Sequence, residues 1–135
     1  MGHPFPSQEW LQALKTALNS DARYAEVARA WEGDLLFVID PDPPGAGEPL
    51  SLYLDLWHGT CRGTAVVPPG EERKARFTLR APLAHFLKVL RGELDPMQAM
   101  LTRRLRVDGD MSYMMRNVPV VLDFVRCACS VPIRD

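Results

Sequence analysis

Residues 92–111 read GELDPMQAMLTRRLRVDGDM, and their punctuation constrains everything around them. Gly92 stops a helix, as glycine does at a C-terminus. Asp95 and Pro96 then stand as N-cap and first residue of a new one. Met97, Met100 and Leu101 follow at i, i+3 and i+4, an apolar stripe on a short helix. From Arg104 to Asp108 the period changes to two, with Leu105 and Val107 on one side of a strand. Gly109 turns the chain, and Asp110 caps a last helix bearing Met111, Met114, Met115 and Val118. The stretch holds no nucleophile. It is a scaffold with a greasy inner side.

Upstream, Leu83, Phe86, Leu87 and Leu90 form an i, i+3, i+4, i+7 stripe on a helix opened by Pro82. Before it lie four alternating segments. In DLLFVID, residues 34–40, Leu35, Phe37 and Ile39 oppose Leu36 and Val38, so both faces are covered. In LSLYLDLW, residues 50–57, Leu50, Leu52, Leu54 and Leu56 share one face. Residues 61–67 and 73–80 continue the pattern, separated by a turn at 68–72. The proline-rich run 41–49 predicts a loop. At the start, Trp10, Leu11, Leu14, Ala17 and Leu18 predict a helix capped by Ser7, and a second helix is expected over 22–31, ended by Gly33. Downstream, Pro119 predicts a kink or a fresh helix start, with Val121, Leu122 and Val125 extending the apolar face. The order is two helices, four strands, two helices, a strand and a helix. Sequential hairpins imply a mostly antiparallel five-stranded sheet with the helices on one face, an α+β fold. The last strand follows a helical crossover, so a parallel pairing is expected there.

The chain has 135 residues, enough for one domain with a real core, and we read 1–135 as a single unit. Its content is 47% hydrophobic and 24% charged, with net charge −1. That balance gives no case for nucleic acid, nor, taken over the whole chain, for an anionic membrane surface. No run reaches the roughly 20 apolar residues of a membrane span, and the N-terminus lacks the regions of a secretory signal. A cytoplasmic location is the expectation.

Catalytic motifs are sparse. Asp55 and His58 are the nearest His–acid pair among the strands, but three residues of extended chain place them on opposite faces. His85 reads as a solvated helix residue. Gly45 and Gly47 lie in the proline loop, outside the strand–turn–helix setting of a phosphate loop. Arg103, Arg104 and Arg106 form a basic patch without interleaved aromatics, better read as a solvated strand edge than a nucleic-acid groove. Cys61, Cys127 and Cys129, with His58, do not have zinc spacing. Five of the six methionines fall between 97 and 115. Methionine suits an apolar wall that accepts varied shapes, though at helical spacing it also suits plain core.

Residues 77–115, FTLRAPLAHFLKVLRGELDPMQAMLTRRLRVDGDMSYMM, resemble the C-terminal half of the sterol carrier protein type 2 domain, a lipid-transfer fold. The family's helix ending in glycine matches Gly92. Its Leu-Asp/Asn-Pro-x-x-Ala segment matches Leu94, Asp95, Pro96 and Ala99. Its Lys-Leu-x-Val-x-Gly-Asp strand and cap match Arg104, Leu105, Val107, Gly109 and Asp110. Arg103 departs from the pattern, standing where the family often has glycine. The resemblance implies a five-stranded sheet with an apolar tunnel between sheet and helices. It implies non-catalytic carriage of a fatty acid, acyl-CoA, phospholipid or sterol, with no cofactor and no metal. Phe86, Leu90, Met97, Met100, Leu101, Met111, Met114, Met115 and Leu122 are the candidate lining. The partner expected is a lipid, with room for transient membrane contact and for a homodimer. The alternative is a ligand-free interaction or dimerisation module on the same scaffold, using the methionine face, Trp57 and the C-terminal segment.

Overall fold

The computed structural model describes residues 2–41, 45 and 47–134. Residues 42–44 and 46, within the proline-rich loop expected over 41–49, lie outside the described residues.

Helix α1 spans Gln8–Ser20 and starts where the sequence says: the Ser7 side chain accepts from the Trp10 amide at 3.1 Å. Its inner stripe, Trp10, Leu11, Leu14 and Leu18, is buried. Helix α2, Ala22–Val27, is capped by Asp21, which accepts from the Tyr24 amide at 2.8 Å. It is shorter than the expected 22–31. The reason lies in Trp31, whose indole Nε1 donates to the Gly33 carbonyl at 2.8 Å while its own carbonyl accepts from His58 N at 2.7 Å. Its ring stacks on Phe77 at 5.4 Å. These tertiary contacts outweigh helix propensity over 28–31.

Five strands follow: β1 Leu35–Asp40, β2 Leu50–Trp57, β3 Thr60–Val67, β4 Phe77–Pro82 and β5 Arg106–Gly109. They lie in the order β3-β2-β1-β4-β5. Three pairings are antiparallel and β1–β4 is parallel. The sheet is thus mixed and mostly antiparallel, but its parallel pair is not at the last strand. β4 returns to the free side of β1 rather than to β3, so the segment 68–76 must travel the length of the sheet. Residues 73–76, expected as strand, belong to this crossover. Asp34 receives it: its carboxylate accepts from the Arg76 amide at 2.6 Å and from the Tyr53 hydroxyl at 2.6 Å. Helices α3 (Leu83–Leu90) and α4 (Pro96–Leu101) then carry the chain away and back, so β5 enters antiparallel to β4. Two short helices close the chain, α5 (Met111–Arg116) and α6 (Val118–Cys129), with Pro119 in the first turn of α6 as a fresh start. A two-residue parallel pairing of His3–Pro4 with Ile133–Arg134 ties the ends together.

Leu52, Leu54, Phe77 and Ala81 line the sheet face that meets the helices, and all are buried in one core with α1, α2 and α6. On the opposite face Leu36 is also buried, beside Pro68, Pro69 and Arg73 of the crossover. Two backbone positions hold the region around β5 in place. Gly109 has φ of 138°, and a Cβ there would stand 2.2 Å from the Arg76 carbonyl oxygen. Arg103 has φ of 60°, a left-handed conformation unusual for a side-chain-bearing residue, at the position where the resembled family often has glycine.

Candidate functional site

An apolar cavity of about 90 Å3 lies between the sheet and the helices. Its floor is Leu35 and Phe37 of β1, Leu56 of β2, and Leu79 and Ala81 of β4. Its sides are Phe86, Val89 and Leu90 of α3, Pro96, Ala99 and Met100 of α4, and Met114 of α5. Helix α6 contributes Val120, Val121, Phe124, Val125 and Ala128. The N-terminal third closes it with Phe5, Trp10, Tyr24 and Trp31. The aromatic rings support one another: Phe37 meets Phe86 edge-on at 5.8 Å and stacks on Phe124 at 6.1 Å, and Phe5 meets Trp10 edge-on at 4.7 Å.

Of the nine residues expected to line a tunnel, the fold brings Phe86, Leu90, Met100 and Met114 to this wall. Met97 is half-buried and stands outside it. Leu101, Met111, Met115 and Leu122 face outward, with 78%, 41%, 58% and 43% of their surface exposed. The cause is helix phase. On α4 the inner stripe is Pro96, Ala99 and Met100 rather than Met97, Met100 and Leu101, a rotation of one residue. Ala99, fully buried, sets that phase, because its carbonyl accepts from the Leu105 amide at 3.1 Å as the chain turns toward β5. On α6 the inner set is Val120, Val121, Phe124, Val125 and Ala128, which turns Leu122 out. Of the aromatic wall, Trp10, Phe37 and Phe86 were read from helix stripe and strand alternation while Phe5, Tyr24 and Phe124 were not singled out, and nothing in those patterns separates cavity wall from ordinary core. His85, half-buried, stands at the edge of this wall as well as toward solvent; its Nδ1 lies 2.9 Å from the Arg104 carbonyl oxygen.

Outside the cavity, several titratable side chains are paired with one another. His58 pairs with Glu32 at 2.5 Å, and Asp55 takes the Arg62 guanidinium at 3.0 and 3.1 Å, so the two do not form a dyad. Asp21, Asp123 and Cys127 lie close enough to suggest a cation site, and the cation they hold is Arg126. Its guanidinium donates to Asp123 at 2.8 and 3.1 Å and to Asp21 at 2.8 Å, joining α2 to α6. That contact, with the Tyr24 amide, lowers the Asp21 carboxyl to about 2. Burial pushes the Cys127 thiol up to about 11, so it is protonated at neutral pH. Among the described residues, the site therefore offers an apolar cavity, with His58 and Asp55 engaged elsewhere.

This geometry has relatives. The sequence model of the SCP-2 sterol transfer family matches residues 11–121. A search of curated proteins returns no match. A crystal structure of sterol carrier protein 2 superposes with TM-score 0.85 at 33% identity, covering 93% of this chain and 98% of that one. The solution structure of a conserved hypothetical protein from Thermus thermophilus gives 0.86 at 32% identity, covering 98% and 93%. The fold also recurs at 18% identity inside a sec-alkylsulfatase of Pseudomonas, with TM-score 0.53, over 79% of this chain and 15% of that one. The chain belongs to the SCP-2 sterol transfer family.

Proposed function

We propose that this chain is a non-catalytic carrier of a lipid with a long apolar portion, a fatty acid, acyl-CoA, phospholipid or sterol, held between the sheet and helices α3–α6. The observation that carries the reading is the partly open apolar cavity between the sheet and the helices. The name of the family agrees with it. Each buried methylene contributes about 0.8 kcal/mol, so ten give roughly 8 kcal/mol before ordering costs, and micromolar binding is the ceiling without a headgroup contact. A water needs roughly 10–15 Å3 on the same measure, so the present 90 Å3 is several waters' worth and less than a long chain requires. Loading spreads the wall. Helix α4 is the segment suited to yield, since six residues hold it and only Ala99 among them is buried. Cytoplasmic residence and brief contact with a membrane belong to this reading.

Native mass spectrometry of the delipidated protein, offered a fatty acid, an acyl-CoA and a sterol, tests it. Stoichiometric uptake of one, competed by another, is the expected result. Met114→Asp, which puts a carboxylate into the wall, abolishes uptake if the wall is right. Undiminished uptake by a folded Met114→Asp protein refutes the assignment. A second reading, an interaction or dimerisation module, draws on the exposed Leu101, Met111, Met115 and Leu122. A stable dimer by light scattering with no uptake of any lipid supports it instead.

A further inference from the structure

Among the described residues, five large apolar side chains stand exposed, and four of them lie on helices that wall the cavity: Leu101 on α4, Met111 and Met115 on α5, and Leu122 on α6. The fifth, Trp57, is stacked on His58 with the Arg62 guanidinium over its ring. Three of the four directly follow a wall residue: Leu101 follows Met100, Met115 follows Met114 and Leu122 follows Val121. One residue is about 100° of helix, so each stands beside the wall rather than behind it. The cavity opens on the same side. Helix α6 packs along α1, α2, α3 and α5 but not closely along α4. Across that seam the wall residues Pro96 and Met100 of α4 and Val121 and Val125 of α6 are half-buried, whereas Leu35, Leu56, Leu79 and Ala81 of the floor are buried. Charge is segregated here too. Over residues 97–122 four arginines stand against two aspartates, in a chain of net charge −1. Arg103, Arg104 and Arg106 are exposed, with no ion-pair partner among the described residues, while Asp110 is taken by Arg76.

We infer that the outer sides of α4, α5 and α6, with the arginines between α4 and β5, dock on an anionic phospholipid bilayer and set the mouth of the cavity against it. The inference rests on the carrier reading above and names the surface and the membrane chemistry through which its lipid enters and leaves. A lipid crossing water exposes its whole apolar length, and a mouth held against the bilayer removes that barrier. Leucine and methionine side chains enter the acyl region while arginine stays at the level of the phosphates. The net charge of the whole chain opposes approach to an anionic surface, so this face is the one that can meet it. A second copy of the chain fits the face less well. A symmetric contact uses the same patch on both copies and would bring the unpaired arginines together.

The test is flotation with vesicles of phosphatidylcholine, alone or mixed with phosphatidylglycerol. The wild type floats with the mixed vesicles and not with phosphatidylcholine alone, and added salt releases it. Each basic residue near such a surface strengthens binding about fivefold, so Arg103→Asn, Arg104→Gln and Arg106→Gln together weaken it by on the order of a hundredfold. Leu101→Ser weakens it about tenfold. Lys74→Gln, in the crossover on the opposite face of the sheet, leaves it unchanged. All five positions are exposed, so the variants fold. The triple arginine variant binds a fluorescent fatty acid in solution as the wild type does, and delivers it to mixed vesicles distinctly more slowly. Wild-type protein that floats with neither kind of vesicle, or equally with both, overturns the inference. So does undiminished flotation of the triple variant, or a loss in Lys74→Gln equal to that in Arg104→Gln. A dimer in solution that Leu101→Ser splits also overturns it, because the face is then a contact between copies. If the wild type takes up no fatty acid, the carrier reading falls, and flotation still decides the docking surface.

Discussion

Gly109 and Arg103 lie six residues apart and have positive φ, yet substitution should act in opposite directions. At Gly109 any side chain meets the Arg76 carbonyl, with the Phe77 ring also within 3.0 Å. Backbone on that side cannot give way without parting β4 from β5. Gly109→Ala should therefore cost more than about 3 kcal/mol, strain and steric overlap together, read as a lowered urea midpoint at unchanged m-value. Arg103 is held left-handed without a glycine's freedom, which costs roughly 1–2 kcal/mol. Arg103→Gly should relieve this, less the entropy glycine adds to the unfolded chain. A gain of up to about 1 kcal/mol is expected, and a loss would mean the arginine side chain contributes more than its backbone costs. At this scale the sequence was highly legible. Ser7, Asp95 and Asp110 cap the helices they were expected to cap, accepting from the amides of Trp10, Met97 and Tyr113. A cap depends on three or four neighbouring residues and on nothing remote.

Elements were legible in kind and less so in rotation. Helix α4 was foreseen with its start and its apolar side, yet the inner stripe is displaced by one residue. Six residues make fewer than two turns, so periodicity alone cannot choose between Pro96/Ala99/Met100 and Met97/Met100/Leu101. What chooses is the small Ala99 against the turn into β5. The consequence can be read from neighbouring residues. Met100→Trp should fill the cavity and reduce lipid uptake at least tenfold, whereas Leu101→Trp, on the 78% exposed outer side, should leave uptake unchanged. Matching losses from both would mean that α4 binds lipid by its outer surface. The junction of α2 and α6 was not foreseen at all, since Asp21 and Arg126 are far apart in sequence. Arg126→Met leaves the Asp123 carboxylate, 5% exposed, with Arg23 alone at 3.4 Å. Arg126 is itself 42% exposed, so the expected loss is roughly 1–3 kcal/mol rather than that of a fully buried pair, measured by thermal or urea unfolding.

For the whole molecule, alternation identified which strand faces are buried but not which strands are neighbours. That is why β4 was expected beside β3 and lies beside β1. A strand's pattern says which side chains turn inward and is silent on its hydrogen-bonding edges. The same compact core sets how the protein responds to pH. Cys61 and Cys127 are 2% and 1% exposed, and burial raises each thiol from its ordinary 9.0 to about 11; burial raises Tyr24 as well. Above pH 9 the unfolded chain releases thiol protons that the folded chain keeps. Folding then binds protons, and stability declines as pH rises from 9 to 11. The acid side has the opposite sign. Asp21 is lowered from 3.8 to about 2, so below pH 4 the unfolded carboxyl takes up a proton first, and its contribution fades toward pH 2. Melting temperature should be level from pH 5 to 8 and fall on either side. A Cys61→Ala, Cys127→Ala protein should melt lower at pH 7, because two buried groups are truncated. Its further loss between pH 8 and 11, in reducing buffer, should be distinctly smaller than in the wild type. An equally steep loss in both proteins would place the alkaline transition elsewhere, with Tyr24→Phe the next variant to separate phenol from thiol.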